Sequence, residues 1–174
     1  MHIFTAIISV IAVYGWGDWR NWKKYHATLL FFALGNLIYN FYTANYFLWR
    51  MDPSFVPRHI FTEMLYTLIV FPATGILFLG NYPNVVIKQI LHILKWITIY
   101  AVWEYVFRLT GHIDYQYGWT LGWSIGFLFV MFPLLKLHEK HPLLTYMISG
   151  VVALFVLWWF DVPVHLPVEE RGNR

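Results

Sequence analysis

The chain has 174 residues, of which 59% are hydrophobic and 12% are charged, and its mean hydropathy is +0.54. Soluble domains carry about 25% charged residues, so this composition predicts a membrane protein. The net charge of +3 is small and no basic-aromatic stripe stands outside the apolar segments, so we expect no nucleic-acid partner. Cysteine is absent, which excludes disulfides, thiolate nucleophiles and thiolate metal sites.

Six apolar stretches follow one another along the chain, each near the length of about 20 residues that a membrane-spanning helix needs. In order they cover residues 3–17, 27–48, 60–80, 89–110, 119–137 and 142–160. The first lacks the basic start and the small-residue cleavage site of a secretory signal, so we expect a retained, rather short span. The separators are short and polar, so neighbouring helices should be antiparallel.

The stretches predict an all-α fold, a polytopic membrane helical bundle of about six transmembrane helices with short loops. Residues 1–162 would form a single transmembrane domain, and residues 163–174 a polar, loosely ordered C-terminal tail. Pro72 and Pro133 lie inside the third and fifth stretches, where a missing backbone donor can kink a helix. The four-residue spacing of Gly118, Gly122 and Gly126 favours close packing against another helix of the same chain.

Every lysine falls on one side of the predicted bundle, in or near loops one, three and five. With Arg20 that side holds seven basic residues against five on the other, and its first loop is strongly basic. We therefore place these loops in the cytoplasm and both termini outside. Basic side chains there either set the topology only or also contact anionic lipid, at roughly 1 kcal/mol each. The residues expected to contact lipid are Arg20, Lys23, Lys24, Lys88, Lys95, Lys136 and Lys140.

Polar side chains inside the spans converge at one level, toward the outer face. This predicted intramembrane cluster consists of Asn36, Asn40, Glu63, Glu104 and Arg108. A carboxylate in hydrocarbon costs on the order of 3 kcal/mol, so Glu104 should turn inward and take a partner. Arg108 lies one turn further along the same helix and is the nearest cation, and the asparagines are candidate partners across helices.

Two interpretations of the cluster stay open. In the first, Glu104 and Arg108 form a structural ion pair that fixes the helix register. In the second, the cluster lines a small polar cavity, open to the outer face, that binds a lipid headgroup, an ion or a small solute. Imidazole and carboxylate from His59, Glu63, Glu104 and His112 would suit zinc or manganese, but no metal motif is present. We therefore expect no metal and no other cofactor.

No catalytic motif is present, and the sequence shows no base near Ser9, Ser124 or Ser149. We expect a binding protein whose partner is membrane lipid, with a second copy of the chain or an envelope protein as a further open partner.

Two alternative functions also stay open. One is an intramembrane lipid-modifying enzyme, in which Glu63 or Glu104 acts as general base with His59 or His112. The other is a minimal transporter, which with six helices would need to be oligomeric.

Several phrases of the sequence occur together in a recognisable order. They include "WGDWRNWKKYH", "GNLIYNF", "IVFPATGILFLGNYP", "YGWTLGWSIGF" and "MFPLLKLHEKHPLL". Together they resemble an uncharacterised family of small multi-pass membrane proteins of Bacillus, Clostridium and related spore-forming Firmicutes, over residues 10–163. The resemblance implies a location in the plasma membrane of a Gram-positive cell. It implies no activity and assigns no functional residues.

Overall fold

Apolar runs separated by short polar segments fold into six helical rods in the part of the chain that the computed structural model describes, residues 1–52 and 59–172. The predicted all-α bundle is confirmed. The third rod, over residues 59–80, joins α3 and α4 through a π-helical segment, Tyr66–Val70. The helices are α1 His2–Trp16, α2 Trp22–Tyr42, α3 His59–Leu65, α4 Phe71–Gly80, α5 Val86–Leu109, α6 Leu121–His138 and α7 Pro142–Trp159.

Four segments are long and apolar enough to cross a membrane: Phe61–Gly80, Val86–Leu109, Leu121–His138 and Pro142–Trp159. The helix α1 is apolar but has only 15 residues. The helix α2 has 21 residues, several of them basic or amide side chains. Four spans are therefore supported, and six stays a prediction.

Apolar side chains on the outside of the bundle support a membrane environment. Along α7 a single stripe of large side chains is almost fully exposed, with Leu143 at 78%, Met147 at 70% and Trp158 at 71%. A soluble monomer rarely exposes so continuous an apolar surface, because exposing apolar side chains to water raises the free energy of the folded protein. The exposed stripe suggests that this helix faces lipid.

The two ends of the bundle contain different segments. At one end, Asn81 Nδ2 donates to the carbonyl of Trp16 at 2.9 Å, and the Lys136 ammonium lies 4.7 Å from the ring centre of Tyr82. These contacts bring together loops 17–21, 81–85 and 139–141, which we call the lysine end. At the opposite end, His2 Nε2 lies 3.0 Å from the carbonyl oxygen of Asp52.

A two-stranded antiparallel ribbon covers this opposite end, which we call the ribbon end. Strand β1, Trp49–Met51, pairs with β2, Ile113–Tyr115, so that Trp49 faces Tyr115 in register. The predicted second span, 27–48, is wrong in its bounds, because α2 ends at Tyr42. Residue Asn45 has a left-handed backbone (φ +60°), which an α-helix does not accommodate, and the chain turns there toward β1.

The C-terminal tail also belongs to the ribbon end. It was predicted to be loosely ordered, but residues 163–172 fold back onto α2. The guanidinium of Arg171 is buried and donates to three carbonyls, those of Leu166 at 3.0 Å, Tyr42 at 3.1 Å and Val164 at 3.4 Å. A cation at the carbonyl end of α2 is favoured by the helix dipole.

Close helix approach occurs at a different glycine from those predicted. A Cβ at Gly126 would meet nothing within 4 Å, and Gly118 lies before α6 with φ +81°. By contrast, a Cβ at Gly75 in α4 would lie 2.4 Å from the Leu29 side chain of α2. The helices α2 and α4 are therefore close at Gly75, where an added Cβ would displace the Leu29 side chain.

The predicted disturbance at Pro72 takes the form of the π-helical segment directly before it. The amide of Phe71 bonds to the carbonyl of Tyr66, five residues back. A wide turn of this kind lets the helix continue past a proline, which has no backbone N–H to donate.

Candidate functional site

A buried carboxylate network joins α2 to the third rod near the ribbon end. Asn36 Nδ2 donates to Glu63 Oε2 at 3.3 Å and to Thr67 Oγ1 at 2.8 Å. Asn40 Nδ2 donates to the same Glu63 oxygen at 3.1 Å. Asn36, Glu63 and Thr67 are all buried. Two amide donors therefore meet one oxygen of the Glu63 carboxylate. We call these four residues the Glu63 network.

A second carboxylate network lies between α5, β2 and α6. Glu104 Oε1 accepts hydrogen bonds from the Tyr115 hydroxyl, at 2.7 Å, and from the Ser124 hydroxyl. The Ser124 oxygen in turn accepts from Trp119 Nε1 at 2.9 Å. The pKa of Tyr115, which lies outside the spans, is raised by burial and by its hydrogen bond to Glu104. We call these four residues the Glu104 network.

In the structure, Glu104 and Arg108 do not form the predicted ion pair, and each has other partners. The Arg108 guanidinium lies 3.9 Å from Asp114 and 5.2 Å from the ring centre of Tyr115, and its side chain is 48% exposed. The carboxylate of Glu104 instead takes hydroxyl partners. Because α6 returns antiparallel beside α5, Ser124 meets Glu104 from a neighbouring helix, which intrahelical spacing alone does not reveal.

The five predicted cluster residues therefore divide between two networks. Asn36, Asn40 and Glu63 contact one another, whereas Glu104 and Arg108 lie around Tyr115. The ribbon links α2 to the Glu104 network, since the Tyr39 hydroxyl donates to the Trp49 carbonyl at 2.6 Å and Trp49 faces Tyr115 in the sheet. The outward cavity proposed from the sequence stays a prediction.

The residues missed by sequence reasoning are Thr67, Tyr115, Trp119 and Ser124. Thr67 follows Glu63 at i+4, and this spacing could have identified it. The sequence shows no base near Ser124, but the structure places its hydroxyl against the Glu104 carboxylate. Tyr115 required knowledge of the ribbon, which pairs residues more than 60 positions apart.

The histidines that were considered as metal ligands or catalytic partners take other contacts. His112 Nδ1 lies 2.9 Å from Thr110 Oγ1, and its ring packs 5.6 Å from that of His2. The side chain of His59 lies outside the described part of the chain. Within residues 1–52 and 59–172, no three His, Asp or Glu side chains are grouped closely enough to hold a metal ion.

The lysine end differs from the ribbon end in charge. Among the described residues, the half of the bundle next to the lysine end carries seven basic and two acidic side chains, whereas the half next to the ribbon end carries three basic and seven acidic ones. Six of the seven predicted lipid-contact residues are exposed, and Lys136 is half-buried. This end therefore presents a positive surface, and the exposed residues are Arg20, Lys23, Lys24, Lys88, Lys95 and Lys140.

A groove of about 380 Å³ opens at the lysine end, between the start of α5 and the end of α6. Lys136 also pairs with Glu139, one turn further along the chain. Burial and the Glu139 carboxylate raise the pKa of Tyr82. The groove is lined by Tyr82, Gln89, Ile93, Pro133, Lys136, Leu137, Lys140 and His141.

Comparison with known proteins does not identify a family for this chain. No family model, no curated protein and no solved structure matches the chain. The resemblance to a Firmicutes family stays a prediction, and the functional argument depends on the chemistry of the two ends.

Proposed function

We propose that this chain is a multi-pass protein of the plasma membrane that binds lipid headgroups without catalysing a reaction, its lysine end in the cytoplasm. The observation that carries the proposal is the one-sided charge of a bundle whose outer surface is apolar. Anionic lipids of the cytoplasmic leaflet attract basic residues at the membrane surface. The exposed lysines supply that attraction at one end only.

A non-enzymatic role is favoured by the partners of the two carboxylates. Glu63 accepts amide hydrogen bonds, and Glu104 accepts hydroxyl hydrogen bonds, one of them from a serine that Trp119 also contacts. A general base needs the proton of a substrate within about 3 Å. Here the hydrogen bonds at Glu63 Oε2 and Glu104 Oε1 join side chains that hold neighbouring elements together.

The orientation can be tested cleanly because the chain contains no cysteine. We would introduce Asn84→Cys at the lysine end and Thr120→Cys at the ribbon end, since both positions are exposed. A membrane-impermeant maleimide applied to intact cells should label only the Thr120→Cys protein, and both should react after permeabilisation. Labelling of Asn84→Cys on intact cells would reverse the proposed orientation.

The lipid preference can be tested in detergent micelles of fixed composition. Added phosphatidylglycerol should raise the melting temperature of the protein more than the same amount of phosphatidylcholine, since only the former is anionic. Ligands that bind the folded state stabilise it by mass action. Equal shifts with the two lipids would contradict headgroup recognition by charge.

A further inference from the structure

We infer that the groove at the lysine end binds one anionic phospholipid molecule, with its phosphate against Lys136 and Lys140 and an acyl chain along the apolar floor. The inference rests on the proposed function and deepens it, because it moves lipid binding from a general positive surface to a single site. Its volume, about 380 Å³, falls within the range of small-molecule sites.

The polar wall of the groove has the chemistry of a phosphate site. Lys136 and Lys140 provide ammonium groups, and His141 provides an imidazole that stands directly before α7. The side chain of Lys140 is exposed, and within the described residues no ion pair includes it. Tyr82 adds a phenol to the lining of the groove. Ammonium groups bind phosphate oxygens as point charges.

The apolar floor of the groove distinguishes a phospholipid from free phosphate. Ile93, Pro133 and Leu137 line it beside the charged groups. Pro133 lies five residues before the end of α6, and Ile93 lies seven residues after the start of α5. At 1.5 Å per residue, these side chains lie about 7 to 10 Å along their helices from the helix ends at the mouth of the groove. A headgroup at the mouth and a hydrocarbon chain below it would fit this gradient.

The contact between Lys136 and Glu139 predicts the direction in which one substitution should change lipid affinity. The carboxylate of Glu139 pairs with the ammonium of Lys136. A lipid phosphate must compete with it, so Glu139→Gln should tighten the binding of an anionic lipid. A variant that gains affinity cannot be dismissed as misfolded, which makes this substitution the safest test.

The main experiment counts bound lipid by native mass spectrometry of the full-length protein in detergent, with dioleoyl phosphatidylglycerol as the probe. The double variant Lys136→Gln/Lys140→Gln should weaken binding at least about 10-fold, at up to about 1 kcal/mol per charge. The matched control is Lys88→Gln/Lys95→Gln, which removes the same charge from the same end outside the groove. Because Lys88 and Lys95 also belong to the positive surface, this control should weaken binding as well, but by a factor at least about 3-fold smaller than the groove variant.

The outcomes separate failure of this inference from failure of the proposed function. Equal losses in the two double variants would overturn the groove and leave the general lipid surface standing. A wild-type protein that binds phosphatidylcholine as well as phosphatidylglycerol would overturn both. Competition by glycerol phosphate at the same concentration as the diacyl lipid would overturn the role of the apolar floor. The exposed single variant Lys140→Gln should still lose affinity if Lys136→Gln destabilises the fold.

Discussion

The two ends of the bundle treat their polar side chains in opposite ways. At the ribbon end, Asn36, Glu63, Glu104 and Ser124 bond to partners on neighbouring elements. At the lysine end, nearly all of the basic side chains are exposed, and Lys136 takes one carboxylate partner beside an open groove. Polar groups that bond to one another hold helices in register, whereas exposed charge is available to a ligand. The hydrogen bonds assign a stabilising role to the polar groups of the ribbon end, and the exposed charge agrees with the lipid binding proposed for the lysine end.

The largest stability effect is expected in the Glu63 network. Asn36→Leu removes donors to Glu63 and Thr67 inside a buried site, which should lower the free energy of unfolding by about 2 kcal/mol. Reversible unfolding in mixed micelles measures it. The control is Asn21→Ala, since that exposed amide makes one bond to Asp18, and it should change the free energy by less than about 0.5 kcal/mol. Similar effects from both variants would remove the contrast between the ends.

A smaller loss is expected in the Glu104 network. Ser124→Ala removes one donor to Glu104 and leaves the buried Trp119 Nε1 without its acceptor, which should cost about 1 to 2 kcal/mol in unfolding free energy. The matched control is Ser149→Ala, because the Ser149 hydroxyl is buried without a hydrogen-bond partner among the described residues. This control should be neutral or slightly stabilising. If it costs as much as Ser124→Ala, lost side-chain packing rather than the hydrogen bonds explains both.

A still smaller effect is expected at Arg108, and it tests the ion pair suggested by the sequence. Arg108→Gln should change the free energy of unfolding by less than about 0.5 kcal/mol, because its pair with Asp114 is half-exposed and 3.9 Å long. Chemical unfolding at low and high salt measures the difference. A loss of about 3 kcal/mol or more would restore the interpretation in which Arg108 compensates a buried Glu104.

The smallest stability effect is expected at the lysine end itself. The double variant Lys88→Gln/Lys95→Gln should leave the free energy of unfolding unchanged within about 0.5 kcal/mol, since both side chains are exposed. The same unfolding assay applies, in lipid-free detergent. A large destabilisation would show that these lysines support the fold, and the division of roles between the ends would then be wrong.

The sequence predicted the class of fold and much of its layout, because apolar runs and charged separators respond to local rules. Composition and helical spacing predict three features: six helical rods joined by polar segments, lysines on one side of the bundle, and the burial of Asn36 and Glu63. The partner of Glu104 could not be predicted in this way. Arg108 is its neighbour along the helix, yet Ser124 and Tyr115 reach it from elements that only the packing of α5, α6 and the ribbon brings near.

Composition and hydropathy by themselves determined that this chain forms apolar helices with a basic surface at one end, since both properties are sums over local residues. The tertiary structure decided what each polar side chain contacts. It ended α2 at Tyr42, built the ribbon from two distant segments and folded the tail back through Arg171. It also brought Lys136 and Lys140 beside Ile93 in one groove, because that juxtaposition depends on how α5 and α6 pack and not on their spacing in the sequence.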